Sequence, residues 1–213
     1  MERNIDMKEV SDGRLYTAND LVRADCRGCR GCSACCEGMG NSVILDPLDV
    51  FWLCRGLSVG FDALLSERIE LNIADHLILP NLRMTGEKEA CTFLDKTGRC
   101  SIHSYRPGMC RLFPLGRFYE EHGFRYFLQI HECSKSDRGK IKIKKWLDLP
   151  DLKRYETFIC DWHDFLKVKK RLVETDPEQI KPVSMKLLNR FYMMPYDMDG
   201  DFYEQFYNRL KNC

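Results

Sequence analysis

Apolar residues recur at helical spacing through the last third of the chain, and this pattern predicts three helical runs. The first run carries lysines on its opposite face. Its apolar stripe consists of Tyr155, Phe158, Trp162, Phe165 or Leu166, and Leu172. The second run starts at Asp176 and Pro177 and ends near Pro195. The third follows a turn at 197–201, and we expect its aromatic face to dock onto the cysteine-rich part of the protein. That face consists of Phe202, Tyr203, Phe206, Tyr207 and Leu210.

The first two thirds of the chain predict shorter elements of both kinds. Thr17 has the position of a helix N-cap. A short strand at 41–45 is followed by a helix, with Asp46 as its N-cap, Pro47 in its first turn and a stop at Gly56. This order of residues predicts a strand that leads directly into a helix.

Two further patterns complete the prediction of an α+β fold. Residues 61–68 form a short helical run, and the rough alternation over 116–133 is typical of a hairpin. We expect a small, irregular, cysteine-rich metal-cluster domain with short hairpins, packed against a mainly helical C-terminal extension. The predicted boundaries are an N-terminal arm at 1–22, the cysteine-cluster domain at 23–134 and the helical extension at 135–213.

Composition and charge exclude several classes of protein. The 213 residues are 44% hydrophobic and 11% aromatic, which is enough for a core and excludes wholesale disorder. A formal net charge of +1 gives no general case for nucleic acid or for an anionic membrane. The basic strip at 135–145 lacks interleaved aromatic residues, so it is more typical of a solvated strand or loop.

The chain has neither a long apolar stretch nor the apolar core of a signal peptide near its start. We therefore expect a cytoplasmic protein that does not span a membrane. In a reducing compartment, densely spaced cysteines are more often metal ligands or catalytic thiols than disulfides. The 12 cysteines of this chain are accordingly interpreted as metal-binding thiols in the main.

The first cysteine stretch, at 26–36, holds five of these cysteines with glycines between them. They are Cys26, Cys29, Cys32, Cys35 and Cys36. A C-x2-C turn lets two sulfurs reach one metal centre, and glycine lets the backbone form the tight loop that this needs. Cys35 and Cys36 are adjacent, so their side chains diverge. Either one ligates while its neighbour packs, or the two serve different metal atoms.

The second cysteine stretch, at 91–115, can bring three thiols to one point. A turn at 95–98 would place Cys91 beside Cys100, and Pro107 suits the first turn of a short helix that carries Cys110. We expect the N-terminus of that helix to favour the thiolate of Cys110.

Other residues around the second stretch have supporting or open roles. Arg106 and Arg111 either offset the charge of a thiolate-rich site or form a surface pair. His103 is expected at the surface or behind the ligands rather than among them. Cys133 is expected at the end of the second strand of the predicted hairpin, where a final ligand could close the site. Cys54 lies on a predicted helix and is interpreted as a packed thiol.

Together the two stretches resemble the CxxCxxCC family of zinc- or iron-chelating proteins, also called YkgJ-like. The likeness is carried by the C-x2-C-x2-C-C run that starts at Cys29 and by the second stretch as far as Pro114, and it covers about 26–134. The resemblance implies eight ligands: Cys29, Cys32, Cys35, Cys36, Cys91, Cys100, Cys110 and Cys133. Cys26 lies outside the core motif.

The second stretch is also similar to a segment of flagellin lysine-N-methylases, which carry a related cysteine cluster and use S-adenosylmethionine. That likeness implies an iron–sulfur cluster. It is little support for methyl transfer, because the chain is shorter and lacks a strand–glycine-rich-loop–helix pattern for the cofactor.

Three functional hypotheses remain open from the sequence. The first is a protein that holds a [4Fe–4S] cluster with a redox or enzymatic role. The second is a structural zinc protein that binds a partner, and the third is an S-adenosylmethionine-dependent methyltransferase-like or redox enzyme. No catalytic residue is assigned, and the sequence does not identify the protein or small-molecule partner.

Overall fold

A computed structural model describes residues 6–27, 32–135 and 137–212. About 45% of the protein is helix and 21% is strand in short antiparallel hairpins, which confirms the predicted α+β class. The helices are α1 (Met7–Val10), α2 (Pro47–Leu57), α3 (Phe61–Glu67), α4 (Gly108–Leu112), α5 (Ile143–Leu147), α6 (Leu152–Thr175), α7 (Ile180–Leu188) and α8 (Phe202–Lys211). The strands are β1 (Leu21–Asp25), β2 (Ile69–Ala74), β3 (Leu77–Leu82), β4 (Met84–Thr85), β5 (Ala90–Cys91), β6 (Leu115–Tyr119), β7 (Phe124–Leu128) and β8 (Gly139–Lys142).

The strands form four separate antiparallel pairs: β1–β8, β2–β3, β4–β5 and β6–β7. The β6–β7 pair confirms the predicted hairpin, in a register that places Leu115 opposite Leu128. Strand β8 lies within the basic strip, as the interpretation of that strip as a solvated strand or loop expected. The pair β1–β8 joins residues far apart in the chain, with Leu21 opposite Lys142.

The predicted helix start at Thr17 is wrong. Thr17 instead begins a turn, because the Asp20 carboxylate accepts hydrogen bonds from its N–H (2.7 Å) and its hydroxyl (2.8 Å). The strand β1 follows at once, and its Val22 and Ala24 are buried. Alternate burial of this kind requires an extended chain, so the tertiary contact overrides the weak helical signal.

Helix α2 begins as its sequence predicted and ends one residue beyond Gly56. The Asp46 carboxylate accepts from the Asp49 N–H (2.9 Å), and the Asp49 carboxylate accepts from the Asp46 N–H (3.1 Å). This reciprocal pair satisfies two of the backbone donors that a helix start leaves open, with Pro47 at the first helical position. The strand predicted at 41–45 does not form. Ile44 instead makes an isolated bridge to Asn81.

The larger of two hydrophobic cores joins α2, α3, β3 and the C-terminal helices. Phe202 and Phe206 of α8 are buried against Phe158 of α6, with ring centroids 5.4 and 4.7 Å apart. Phe202 also contacts Phe51 of α2 at 5.3 Å. Each such aromatic side chain stabilises the fold by about 1.5–3 kcal/mol through burial. The predicted docking of the last helix through its aromatic face is confirmed.

The smaller core lies under the pairs β1–β8 and β6–β7 and is closed by α5. Its buried members are Val22, Ala24, Leu112, Leu115, Tyr126, Leu128, Ile143 and Leu147. Leu112 belongs to this core, whereas Cys110, two residues earlier on the same helix, packs against the larger core. Helix α4 is therefore held between the two cores, and this fixes the position of Cys110.

Among the described residues, no helix is both long and apolar enough to cross a lipid bilayer. The domain boundaries at residues 22 and 134 stay predictions.

Candidate metal centre

The first cysteine stretch leads into one turn of 3-10 helix at Ala34–Cys36 and then pairs with β5. The N–H of Cys36 donates to the carbonyl of Ser33 (2.7 Å). Glu37 forms a bridge to Ala90, and the N–H of Gly38 donates to the carbonyl of Glu89 (3.0 Å). These contacts place the Cys35–Cys36 pair beside β5, whose second residue is Cys91.

A tight turn brings Cys100 back towards Cys91, as the sequence predicted. The Asp95 N–H donates to the carbonyl of Arg99 (2.8 Å), and the Asp95 carboxylate accepts from the N–H groups of Thr97 (2.8 Å) and Arg99 (2.9 Å). A bridge between Leu94 and Cys100 closes the turn. Cys91 and Cys100 are therefore neighbours in the fold.

Helix α4 supplies the third thiol of the second stretch and is anchored to α2. The N–H of Gly108, at the start of α4, donates to the buried Asp49 carboxylate (2.7 Å). The Tyr155 hydroxyl occupies the space where a side chain at Gly108 would begin, so this close approach requires glycine. Asp49 thus ties the helix carrying Cys110 to the capped start of α2.

Five thiols influence one another electrostatically: Cys35, Cys36, Cys91, Cys100 and Cys110. We call them the inner group. They come from three parts of the chain, which the contacts of Glu37, Leu94 and Gly108 bring together. Within the described residues, however, no three histidine, cysteine, aspartate or glutamate side chains are grouped so that they could hold a metal ion.

The adjacent cysteines Cys35 and Cys36 have opposite proton affinities. A hydrogen bond from the Cys36 thiol lowers the pKa of Cys35 to about 7. The same hydrogen bond and burial raise the pKa of Cys36. The thiol of Cys35 therefore ionises more readily than the thiol of Cys36, which donates a hydrogen bond to it.

The other three thiols of the inner group hold their protons. Burial raises the pKa of Cys91, of Cys100 and of Cys110, and neighbouring thiols of the group raise all three further. The expectation that a helix N-terminus favours the Cys110 thiolate is therefore wrong. Helix α4 has five residues, and the cost of burying a charge there exceeds the attraction of its terminus.

Cationic groups lie beside the inner group. The charge of Arg106 opposes the effect of burial at Cys100, and together with the hydrogen bond from Cys36 it lowers the pKa of Cys35. The Nε–H of Arg106 is buried and has no hydrogen-bond partner among the described atoms. An unpaired donor beside converging thiols fits a bound, negatively charged metal–thiolate group that would accept from it.

Two further cysteines implied by the family resemblance, Cys32 and Cys133, are placed by other contacts. The Cys32 sulfur is 4.0 Å from the Ser134 hydroxyl, which places Cys32 beside the loop that carries Cys133. Cys133 lies beyond the end of β7 in this loop, not at the strand end that the sequence predicted. Cys32 and Cys133 are called the outer group. Cys29 lies outside the described residues, so its predicted role has no structural account.

The extra cysteine, Cys26, lies directly after β1 and near the outer group. Its neighbour Arg27 pairs with Asp137 (3.4 Å), and Asp25 lies opposite Gly139 in the β1–β8 pair. Residues 25–27 therefore lie alongside the segment that follows Cys133.

Cys54 is a packed thiol, as its position on α2 predicted. It is buried in the larger core, and burial raises its pKa to about 11. The sequence analysis missed Asp49, whose carboxyl also has a pKa raised by burial, to about 6. In the sequence, the spacing of Asp49 from Asp46 indicates this role, because an acidic residue three positions after an N-cap completes a capping box.

A model of one protein family matches residues 28–134, which is half of the chain. The family is CxxCxxCC, described as a "putative zinc- or iron-chelating domain". The match spans both cysteine stretches and ends immediately after Cys133. No curated protein and no solved structure matches the chain.

Proposed function

Because the chain belongs to the CxxCxxCC family and carries its zinc- or iron-chelating, metal-binding domain, we propose that the inner group holds an iron–sulfur cluster of the [4Fe–4S] type. One observation carries this proposal. Five thiols from three parts of the chain influence one another, and the buried Nε–H of Arg106, whose charge acts on two of them, has no acceptor among the described atoms.

A zinc ion and an iron–sulfur cluster require different separations between the ligand sulfurs. A zinc ion with four cysteine ligands has zinc–sulfur distances of about 2.3 Å, so its sulfurs lie within roughly 4 Å of one another. A cluster of four irons and four sulfides is wider, and its cysteine ligands stand further apart. The choice of a cluster rests on the likeness of the second stretch to the cysteine cluster of flagellin lysine-N-methylases, which implies an iron–sulfur cluster.

Four thiolates are needed, and the inner group offers five. We assign Cys91, Cys100 and Cys110 as three ligands, because each is held by a defined contact of the second stretch. Cys35 is the fourth, since its thiol ionises most easily within the pair. Cys36 then supports Cys35 by donating a hydrogen bond rather than by ligating.

The surrounding residues determine how such a group would be held. Cys91 is buried and Cys110 packs against the larger core, so this side of the site excludes water. A bound cluster supplies one-electron redox chemistry. The chain itself contributes the thiolates, the cation Arg106 and the rigid connection from Asp49 to α4. The reaction that uses the electron is not assigned.

Anaerobic purification with analysis of iron, zinc and acid-labile sulfide tests the proposal. We expect a brown protein with iron and sulfide in equal amounts and a broad absorption band that bleaches on reduction. A colourless protein that keeps stoichiometric zinc after the same handling would favour the structural zinc hypothesis and overturn the proposal.

A further inference from the structure

The guanidinium of Arg106 is fixed in place by a histidine. Its NH1 lies 2.5 Å from His103 Nε2. A guanidinium has only donors, so Nε2 must be the acceptor and the neutral ring carries its proton on Nδ1. His103 is therefore a partner of Arg106, which is consistent with its expected place behind the ligands.

The backbone of the same segment is held by Arg111. Its Nε donates to the carbonyl of Arg106 (3.1 Å), and its NH2 donates to the carbonyl of Ser104. The Arg111 guanidinium also lies over the Trp52 ring, 5.3 Å from the centroid. Of the two predicted charge-offsetting arginines, Arg111 positions the loop, while Arg106 directs its charge towards the thiols.

Among the polar atoms of the Arg106 side chain, Nε is buried without a hydrogen-bond partner. NH1 is paired with His103, whereas the buried Nε–H has no described acceptor. A buried donor without an acceptor costs about 1–3 kcal/mol. The nearby thiols Cys35 and Cys100 experience the positive charge of this side chain.

We propose that Arg106 donates its Nε–H to the metal-bound sulfur of the inner group and that His103 orients the guanidinium for this contact. The inference rests on the proposed iron–sulfur cluster. Arg106 is thereby a positioning and charge-compensating residue that sets the reduction potential of the cluster. A hydrogen bond and a positive charge stabilise the more negative, reduced state, so they raise the potential.

Arg106→Gln is the principal test, carried out on the full chain purified anaerobically. We expect the reduced-to-oxidised ratio at a fixed potential to fall at least tenfold, which is about 59 mV for a one-electron couple. Removal of bound iron by a chelator should become about tenfold faster, as for other residues that support metal ligands. Arg106→Lys keeps the charge but cannot reproduce both contacts, so its shift should be smaller and in the same direction.

Arg99→Gln is the matched control. Arg99 is an exposed arginine whose charge also reaches Cys100. Because solvent and salt screen an exposed charge, this variant should change the potential little, and the change should disappear at high salt. An equal shift in Arg99→Gln and Arg106→Gln would overturn the inference, because only net charge would then matter.

Variants of His103 keep the inference testable if Arg106→Gln does not fold. His103→Ala should lower the reduced-to-oxidised ratio about threefold, and His103→Gln, whose amide oxygen can accept from the guanidinium, should restore most of it. An unchanged potential in His103→Ala would contradict the orienting role. The proposed function fails separately, if the wild-type protein itself contains no iron and sulfide.

Discussion

The inner and outer cysteine groups differ in how the fold holds them. The inner group is fixed by a bridge to β5, by a closed turn and by a buried carboxylate at the start of α4. The outer group lies in loops, where Cys32 is 4.0 Å from a serine hydroxyl. The seven described cysteines of the motif are therefore held in different ways.

This difference shows where folding and metal binding are coupled. The inner thiols join residues 34–36 to the segment from Cys91 to Cys110, so a metal bound there closes a long loop of the chain. Since a metal site of this kind does not exist in the unfolded chain, the binding free energy contributes directly to stability. The outer group joins segments that β1–β8 pairing and the ion pair of Arg27 already bring together.

The variant Cys110→Ser should show the difference between the inner and outer groups most strongly. We expect complete loss of the metal and a large loss of stability, because a ligand held between two cores cannot be replaced by a neighbouring thiol. Metal analysis and thermal unfolding measure both effects. Cys54→Ala is the control, since Cys54 is buried but outside the inner group, and it should keep the full metal content. Full metal content in Cys110→Ser would contradict the assignment of the inner group.

A second prediction concerns pH. Burial raises the pKa of Cys91, Cys100 and Cys110, so these thiols are protonated in the metal-free protein at neutral pH and must lose their protons on binding. Lower pH therefore weakens binding. With Zn²⁺ as the probe ion, the release of these three protons would change the apparent affinity about 1,000-fold between pH 6.5 and 7.5. Competition titrations with a chelator of known affinity measure this change.

Zinc binding by the outer group is the control for the pH dependence of the inner group. In the double variant Cys91→Ser and Cys110→Ser, any remaining zinc binding should change less with pH. A slope as steep as that of the wild-type protein would show that the buried thiols of the inner group do not supply the protons.

Much of the local structure that supports the inner group follows from short sequence patterns. Asp46 and Pro47 mark the start of α2, and the turn at 95–98 follows from its aspartate and glycine. These features depend on residues within one turn of each other, so sequence spacing specifies them.

Long-range features were not predictable in the same way. The pairing of β1 with β8 joins segments more than 100 residues apart, and neither strand shows clear alternation. The raised pKa of Cys110 depends on packing from the larger core, which no local pattern reports. The division into inner and outer groups also arises from such contacts, so the motif alone left open which cysteines ligate and whether they form one site or two.

A third prediction tests whether Asp49 supports the inner group through its contact with α4. Asp49→Ala leaves the buried Gly108 N–H without its acceptor and breaks the capping box, so the free energy of unfolding should fall by about 2–4 kcal/mol. Asp49→Asn keeps one acceptor oxygen, so its free energy of unfolding should fall by less than half of that amount. Chemical denaturation of the metal-bound protein gives the values. Equal losses in the two variants would contradict the role of the Gly108 hydrogen bond.

The smallest effect is expected from Cys32→Ser and Cys133→Ser. If the inner group supplies all four ligands, each variant should keep most of its iron and sulfide and lose less than about 1 kcal/mol of stability, as is usual for changes in partly exposed loops. Iron analysis after anaerobic purification is the measurement, with Cys100→Ser as the matched inner-group variant. Loss of all iron in Cys133→Ser would place a ligand in the outer group. The loop after β7 would then be part of the metal centre.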